Sequence, residues 1–250
     1  MINRLRALST FIKLKVNISP SMTHLCVGCL TPTQNDGLCG ACGADLPRND
    51  AACARCALPL TSSIADPLGV LCGPCISQPP AFDRVVAPWL YSFPVNSLIS
   101  QFKYGKQRAF GKPLAGLLAR EIAASGDGRP ECLIPVPMHP SRERARGFNQ
   151  AEEIALWLAD ELDVPVISHL VQRRKLSDTQ SGLTRRQRLV NLKGAFGVSG
   201  PIPEHVAVVD DVVTTGATAE ELAKKLKKAG ARTVEIWALA RTPRIPLDDL

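Results

Sequence analysis

Residues 206–218 read VAVVDDVVTTGAT, and the fold class turns on this stretch. Val206, Ala207, Val208 and Val209 form a continuous apolar, mostly β-branched run, which suits a parallel strand covered on both faces. Asp210 and Asp211 then stand at its C-terminal end. In open α/β sheets the ligand crevice lies beyond that edge, so two carboxylates there are placed to accept hydrogen bonds from a sugar diol. Thr214, Thr215, Gly216, Ala217 and Thr218 follow, with successive backbone N–H groups and three hydroxyls at the mouth of the next helix, a ready anion site. Gly216 supplies either positive φ or a close backbone approach. No Lys follows it, so the loop is not a triphosphate loop of the GK[ST] kind, and a phosphate monoester fits better.

The helix after the loop carries its own signals: Glu220 and Glu221 in the first turn, Lys224, Lys225, Lys227 and Lys228 later, and Gly230 as a stop. Its dipole points positive at the loop. The stretch resembles the ribose-5-phosphate motif of type I phosphoribosyltransferases. Any βα unit with an acidic strand end, a receiver-like domain included, shares part of this pattern, but such a unit needs no TTGAT loop.

Working outward, an α/β alternation extends back to about residue 81. Residues 85–91 read as a strand interrupted by Pro88, hence at a sheet edge. Helices are expected over 95–104 and 108–124, the second with Leu114, Leu117, Leu118 and Ile122 at helical spacing. A short apolar strand at 132–136 precedes a helix at 149–162, residues 164–170 look extended, and a last strand covers 233–240. Strands alternating with helices imply a largely parallel sheet.

Ahead of this unit, beyond a linker at Pro79 and Pro80, eight of the nine cysteines fall into four C-x-x-C pairs: Cys26/Cys29, Cys39/Cys42, Cys53/Cys56 and Cys72/Cys75. Both thiolates of such a knuckle reach one tetrahedral ion, and four thiolates close the shell with no open position. Two structural zinc sites follow, most simply partitioned in sequence order; the spacing leaves a cross-brace, pairing first with third, open as well. The segment has few apolar residues, so metal must supply much of its folding free energy. A redox reading is disfavoured because that motif usually occurs once, beside a βαβ pattern. Cys132, inside an apolar run, reads as a core residue. The expected organisation is therefore a basic arm or mis-assigned start at 1–22, a double zinc ribbon at 23–78, and an α/β domain at 79–250.

The chain has 250 residues and a formal charge of +7. That length holds one ordinary domain plus a small one. The first 22 residues carry Arg4, Arg6, Lys13 and Lys15 without an acid, so no part of the remainder is basic enough to require nucleic acid. Lys13 and Lys15 break up any export signal, no run reaches the length of a membrane span, and a cytoplasmic location is expected.

Two basic segments remain. Arg142, Arg144 and Arg146 are expected in a loop at a strand's C-terminal end, with Gly147 and Asn149 at the start of the next helix. Guanidinium groups suit a pyrophosphate, which offers several oxygens for bidentate contacts. Residues 173–196 carry Arg173, Arg174, Lys175, Arg185, Arg186, Arg188 and Lys193 against one acid, Asp178. A long polar loop inside a compact domain is usually functional or disordered. A nucleic-acid contact strip is the competing reading, weakened by the scarcity of aromatics for base stacking.

Together, the paired cysteines, Phe102-Lys103-Tyr104-Gly105, Pro135-Val136-Pro137, Arg146-Gly147-Phe148-Asn149-Gln150, Thr179-Gln180, Asn191, Ala195-Phe196 and residues 206–218 resemble the ComF family. These are phosphoribosyltransferase-like proteins linked in bacteria with competence and the use of external DNA. The resemblance spans about residues 26–243. It implies a type I phosphoribosyltransferase-like fold that binds 5-phosphoribosyl 1-pyrophosphate with magnesium and passes the phosphoribosyl group to an unidentified acceptor. Asp210 and Asp211 are then the catalytic carboxylates on the diol, Thr214 to Thr218 hold the 5′-phosphate, and Lys103, Arg142, Arg146 and Gly147 meet the pyrophosphate. Arg174, Thr179, Gln180 and Arg188 belong to a flexible loop that closes over the site. The alternative is a non-enzymatic protein that reuses the fold for single-stranded DNA or for the competence machinery.

Overall fold

The computed structural model describes residues 24–34, 37–60, 69–126, 128–174 and 194–243. The arm at 1–22 lies outside them. In the Cys-rich segment, β1 (His24–Leu25) and β2 (Pro32–Thr33) form an antiparallel pair, and two five-residue helices, α1 (Gly40–Ala44) and α2 (Gly73–Ser77), each start immediately after a cysteine. There follow β3 (Arg84–Val86), β4 (Trp89–Leu90), α3 (Val95–Tyr104), α4 (Arg108–Ala124), β5 (Cys132–Pro135), α5 (Pro140–Arg146) and α6 (Gln150–Leu162). After a 3-10 turn at Ser168–Leu170 come β6 (Val171–Arg173), β7 (Phe196–Val198), β8 (His205–Val213), α7 (Ala217–Lys228) and β9 (Thr233–Arg241).

The main sheet has the order β3-β9-β8-β5, with β4 also against β9, and every pairing is parallel. Pro88 splits the edge strand as expected: it lacks the N–H that a ladder needs, and its carbonyl accepts instead from Asn49 N–H at 2.8 Å. The central run of β8 is buried on both faces because alternate side chains enter different layers. Ala207 and Val209 join Leu133, Trp237 and Leu239 under α3, α4 and α6. Val206 and Val208 join Ile134, Ile236 and Ala238 under Leu222 and Leu226 of α7. The observed class is the expected one, a parallel sheet flanked by helices behind a Cys-rich module.

Five local expectations are corrected. Arg142, Arg144 and Arg146 lie on α5, a helix begun by Pro140 in its first turn, with His139 as its N-cap, and ended by Gly147 at φ 90°. Gly147 therefore closes one helix rather than opening the next, whose cap is Asn149. Residues 164–170 are only partly extended: Val166 bridges Leu133, and then the chain turns into the 3-10 segment. Strand β8 runs past the acidic pair to Val213, because Val212 and Val213 continue the ladder with β9. Strand β9 likewise extends to Arg241.

The Cys-rich segment is fastened to the α/β unit. Cys26, Leu38 and Leu46 lie in the same buried cluster as Trp89, Val95 and Leu114. Asn49 Nδ2 donates to the carbonyls of Ala57 and Ala87, and Leu90 N–H to that of Pro47 at 2.9 Å. Arg48 makes two contacts to the Glu121 carboxylate, at 2.6 and 3.2 Å.

Phe102 anchors α3, fully buried between Phe148 and Trp157 with ring centroids 5.4 and 5.6 Å away. Gly111 of α4 gives it room: a Cβ there would stand 2.9 Å from the Phe102 ring, which its neighbours prevent from moving aside. Helix propensity alone favours Gly111→Ala by about 1 kcal/mol. The close contact reverses the sign, and Gly111→Ala should destabilise by about 1–3 kcal/mol in urea unfolding; a rise in stability would contradict this packing.

Candidate functional site

The candidate site lies at the C-terminal edge of the sheet, where β5, β8 and β9 end and where α3 comes in through Lys103. Strand β8 brings Asp210 and Asp211 there, both half-buried. Asp211 N–H donates to Asp210 Oδ1 at 2.8 Å, and Asp211 Oδ2 meets Lys103 Nζ at 2.8 Å. Lys103 is thus brought to the acidic pair. Burial works against its charge, but the Asp211 and Asp210 carboxylates outweigh that and raise its pKa. Asp210 moves the other way from a normal carboxylic acid: burial and the Asp211 charge push it up to about 7, against the Asp211 N–H, Lys103 and Arg173.

The loop turns at Gly216, φ 75°, which is also the N-cap of α7. A Cβ at Gly216 would meet no atom within 4 Å, so the glycine serves the left-handed backbone and not a close protein contact. Having no side chain, Gly216 cannot cap the helix; Ala217 N–H donates to Thr215 Oγ1 at 3.4 Å, and the first turn with Thr214, Thr215 and Thr218 offers groups that could hold an anion. The helix starts at Ala217, so of the two acids expected in its first turn only Glu220 lies there, and both face elsewhere. Glu220 accepts from Ala81 N–H at 2.9 Å and pairs with Lys224, while Glu221 accepts from Gly194 N–H.

Helix α5 stands beside this edge. The guanidinium of Arg146 lies 5.2 Å from the Tyr104 ring centroid and donates to Gln150 Oε1 at 3.0 Å, which joins the 146–150 segment to the end of α3. Arg173 on β6 stacks on Phe196, and burial with the Arg142 charge lowers its pKa while Asp210 opposes the fall. Arg142, Arg173 and the carboxylates therefore share one electrostatic environment. Arg174 is exposed on the strand side of the expected loop; Thr179, Gln180 and Arg188 lie outside the described residues.

Arg241 is a residue that the sequence reading missed. It is 6% exposed at the end of β9, and its Nη1 donates to the carbonyls of Val213, Thr214 and Thr242. The available signal was a cation closing the apolar run 236–240.

The eight cysteines gather as Cys26, Cys29, Cys39 and Cys42, and as Cys53, Cys56, Cys72 and Cys75, the ligand atoms of each set within 4.8 Å of one another. The partition is sequential, which removes the cross-brace. Cys29 and Cys39 Sγ are 3.7 Å apart, and Cys56 and Cys72 Sγ 3.6 Å. A tetrahedral ion with Zn–S bonds of about 2.3 Å needs edges of about 3.8 Å, so both sets fit zinc. Backbone N–H groups of Cys39 and Cys72 donate to Cys26 and Cys53 Sγ at 3.3 and 3.2 Å. Burial raises the pKa of Cys26, but its backbone N–H donors outweigh that and bring it down to about 6, favouring a thiolate.

No protein-family model matches the chain. Among curated proteins it is 34% identical to Competence protein F of Haemophilus influenzae over 233 residues, 90% of this chain and 93% of that protein. The chain belongs to the ComF family. This ComF-family chain is also 34% identical to DNA utilization protein YhgH of Escherichia coli (strain K12), over 82% of its length and 91% of that protein. To Competence protein ComFC of Streptococcus pneumoniae it is 28% identical, over 62% and 67%. Solved structures similar to it include a purine phosphoribosyltransferase from Pyrococcus horikoshii Ot3, at 20% identity and a TM-score of 0.33, covering 53% of this chain and 76% of that one. Among the described residues, no helix is long and apolar enough to cross a membrane.

Two expectations follow. Metal analysis of the full-length protein should find about two zinc ions per chain, and their chelation should open residues 24–78 to protease; clearly less zinc contradicts the paired sites. A carboxyl whose folded pKa lies above its unfolded value of about 3.9 is most stabilising when protonated, and that stability is lost as pH rises through about 7. The ligand-free protein should accordingly lose stability between pH 4 and 7 relative to Asp210→Asn, as read by denaturant midpoints, and parallel profiles would contradict the raised pKa.

Proposed function

We propose that this chain binds 5-phosphoribosyl 1-pyrophosphate and transfers its phosphoribosyl group to an acceptor, releasing pyrophosphate, in the setting of competence and DNA utilisation from which its relatives take their names. One observation carries the reading: the paired carboxylates of Asp210 and Asp211 share the sheet edge with the Thr214 to Thr218 loop at the N-terminus of α7. A sugar diol and a phosphate monoester are the two groups that such a pair and such a loop recognise.

In the reaction, the bond from ribose C1 to the pyrophosphate oxygen breaks and its electron pair leaves with pyrophosphate, while an acceptor lone pair forms the new bond to C1. The ring carries positive charge in between. Asp210 and Asp211 accept hydrogen bonds from the ring hydroxyls and place negative charge beneath that cation. Lys103, at Asp211, keeps the carboxylate pair from accumulating unbalanced charge, and in this reading Lys103, Arg142, Arg146 and the exposed Gly147 meet the pyrophosphate. Magnesium suits this donor set, since carboxylate and pyrophosphate oxygens are hard ligands; Asp210 and Asp211 would help hold it, and when bound it neutralises charge on the leaving group.

The relatives' names also favour a second reading, a protein that binds single-stranded DNA through its arginines without catalysis. Against it, Arg173 is half-buried with its guanidinium over the Phe196 ring, a less open position than a contact strip for a nucleic-acid backbone needs. Calorimetric titration with 5-phosphoribosyl 1-pyrophosphate and magnesium decides between them. Binding should weaken about 100-fold in the double variant Asp210→Asn/Asp211→Asn, the loss of two hydrogen bonds to charged acceptors. Absence of binding, or indifference to the substitutions, sinks the enzyme reading; a salt-dependent affinity for single-stranded DNA that falls on neutralising Arg185, Arg186 and Arg188 supports the second.

A further inference from the structure

We propose that Arg241 is a positioning residue through which the second cysteine cluster holds the phosphate loop in its binding conformation. The inference rests on the reading of residues 214–218 as a phosphate site. Arg241 Nη1 lies 3.0 Å from the Val213 carbonyl oxygen and 2.9 Å from that of Thr242, and it also donates to the Thr214 carbonyl. Its Nε donates to the carbonyl of Cys56 at 3.0 Å. One buried guanidinium thus ties the start of the loop to a knuckle of the Cys-rich segment that lies 185 residues before Arg241 in sequence.

The direction of these bonds matters. In a trans peptide the C=O and the following N–H point opposite ways. Drawing the Val213 and Thr214 carbonyls toward Arg241 fixes those two peptide planes, with the N–H groups of Thr214 and Thr215 turned to the opposite side. The guanidinium itself need not touch the ligand. Its planar fork matches several carbonyls at once, which the single ammonium of a lysine does less well.

The other end of the tie depends on metal. Cys56 Sγ sits in the second cluster, 3.6 Å from Cys72 Sγ, and two thiols of one C-x-x-C knuckle converge only when the backbone between them is folded over. The neighbouring residues are fastened to the same region: Arg55 accepts from Val85 N–H at 2.9 Å, and Ala57 belongs to the buried cluster that contains Val213 and Ala217. Loss of metal from Cys53, Cys56, Cys72 and Cys75 releases the Cys56 carbonyl, and with it one of the bonds that fix the guanidinium against the loop.

The test uses full-length protein, ribose 5-phosphate as the probe, and hydrogen exchange of the amides of residues 214–218 as a readout that needs no ligand. Arg241→Met should retain the zinc content of the wild type, weaken ribose 5-phosphate about tenfold or more, and speed exchange in the loop, with partial recovery in Arg241→Lys. Cys75→Ser, which lacks one thiolate of the second cluster, should speed the same exchange in the wild-type background and add little in Arg241→Met. Arg48→Ala, which removes the separate ionic tie to Glu121, should leave loop exchange unchanged. Unchanged loop exchange in Cys75→Ser, or effects of Cys75→Ser and Arg241→Met that simply add, overturns the coupling. If Arg241→Met does not fold, Cys75→Ser and Arg241→Lys still decide through the exchange rates. Failure of the wild type to bind ribose 5-phosphate counts against the phosphate reading alone, because the exchange measurement stands without it.

Discussion

Burying β8 between two helix layers places two adjacent carboxylates at the rim of an apolar strand, and much of the chain's arrangement answers the repulsion between them. Two negative charges side by side in low dielectric raise one another's pKa unless cations or donors are brought close. Here the cation comes from α3, where Lys103 reaches Asp211 at 2.8 Å. Further positive charge comes from Arg173 on β6, whose own charge is disfavoured by burial and by Arg142. The compensation is incomplete, since burial and the Asp211 charge still push the Asp210 pKa up. Such a pair favours hydrogen-bond donors or a cation.

The Cys-rich segment solves a different problem. Segments this short bury too little apolar surface to fold alone, and thiolate–metal bonds replace part of a core. The segment is not left to hang from the α/β unit, however. Cys26, Leu38 and Leu46 share a core cluster with α3 and α4, and backbone bonds from Asn49 to Pro88 and from Leu90 to Pro47 stitch it to the edge strand that Pro88 interrupts. An edge that would otherwise expose unpaired backbone is thereby covered. Arg241 extends the same stitching to the loop after β8.

What was legible in advance was what local pattern encodes. The valine run, the acidic pair and the threonine-glycine loop stand within 13 residues, so strand, turn and helix start could be read together. The expected bounds of α3 and α4 coincide with the observed ones because an apolar stripe at helical spacing marks them. Helix α5 escaped for the opposite reason. It buries no residue, so it has no stripe, and it is set up by Pro140 at one end and Gly147 in the left-handed conformation at the other. The same gap explains why Gly147 was placed at the start of a helix and not at the end of one.

By itself the sequence determined the fold class, the paired cysteines and the succession of strand, acidic pair, loop and helix at 206–218, because periodicity, C-x-x-C spacing and turn chemistry act over a few residues at a time. The tertiary structure alone decided that the cysteines partition in sequence order, that Lys103 meets Asp211, and that Arg241 joins Cys56 to the loop. These are contacts between residues far apart in the chain. Their energies come from burial and charge pairing that exist only after the sheet has formed, and no short-range pattern encodes which partners that burial brings together.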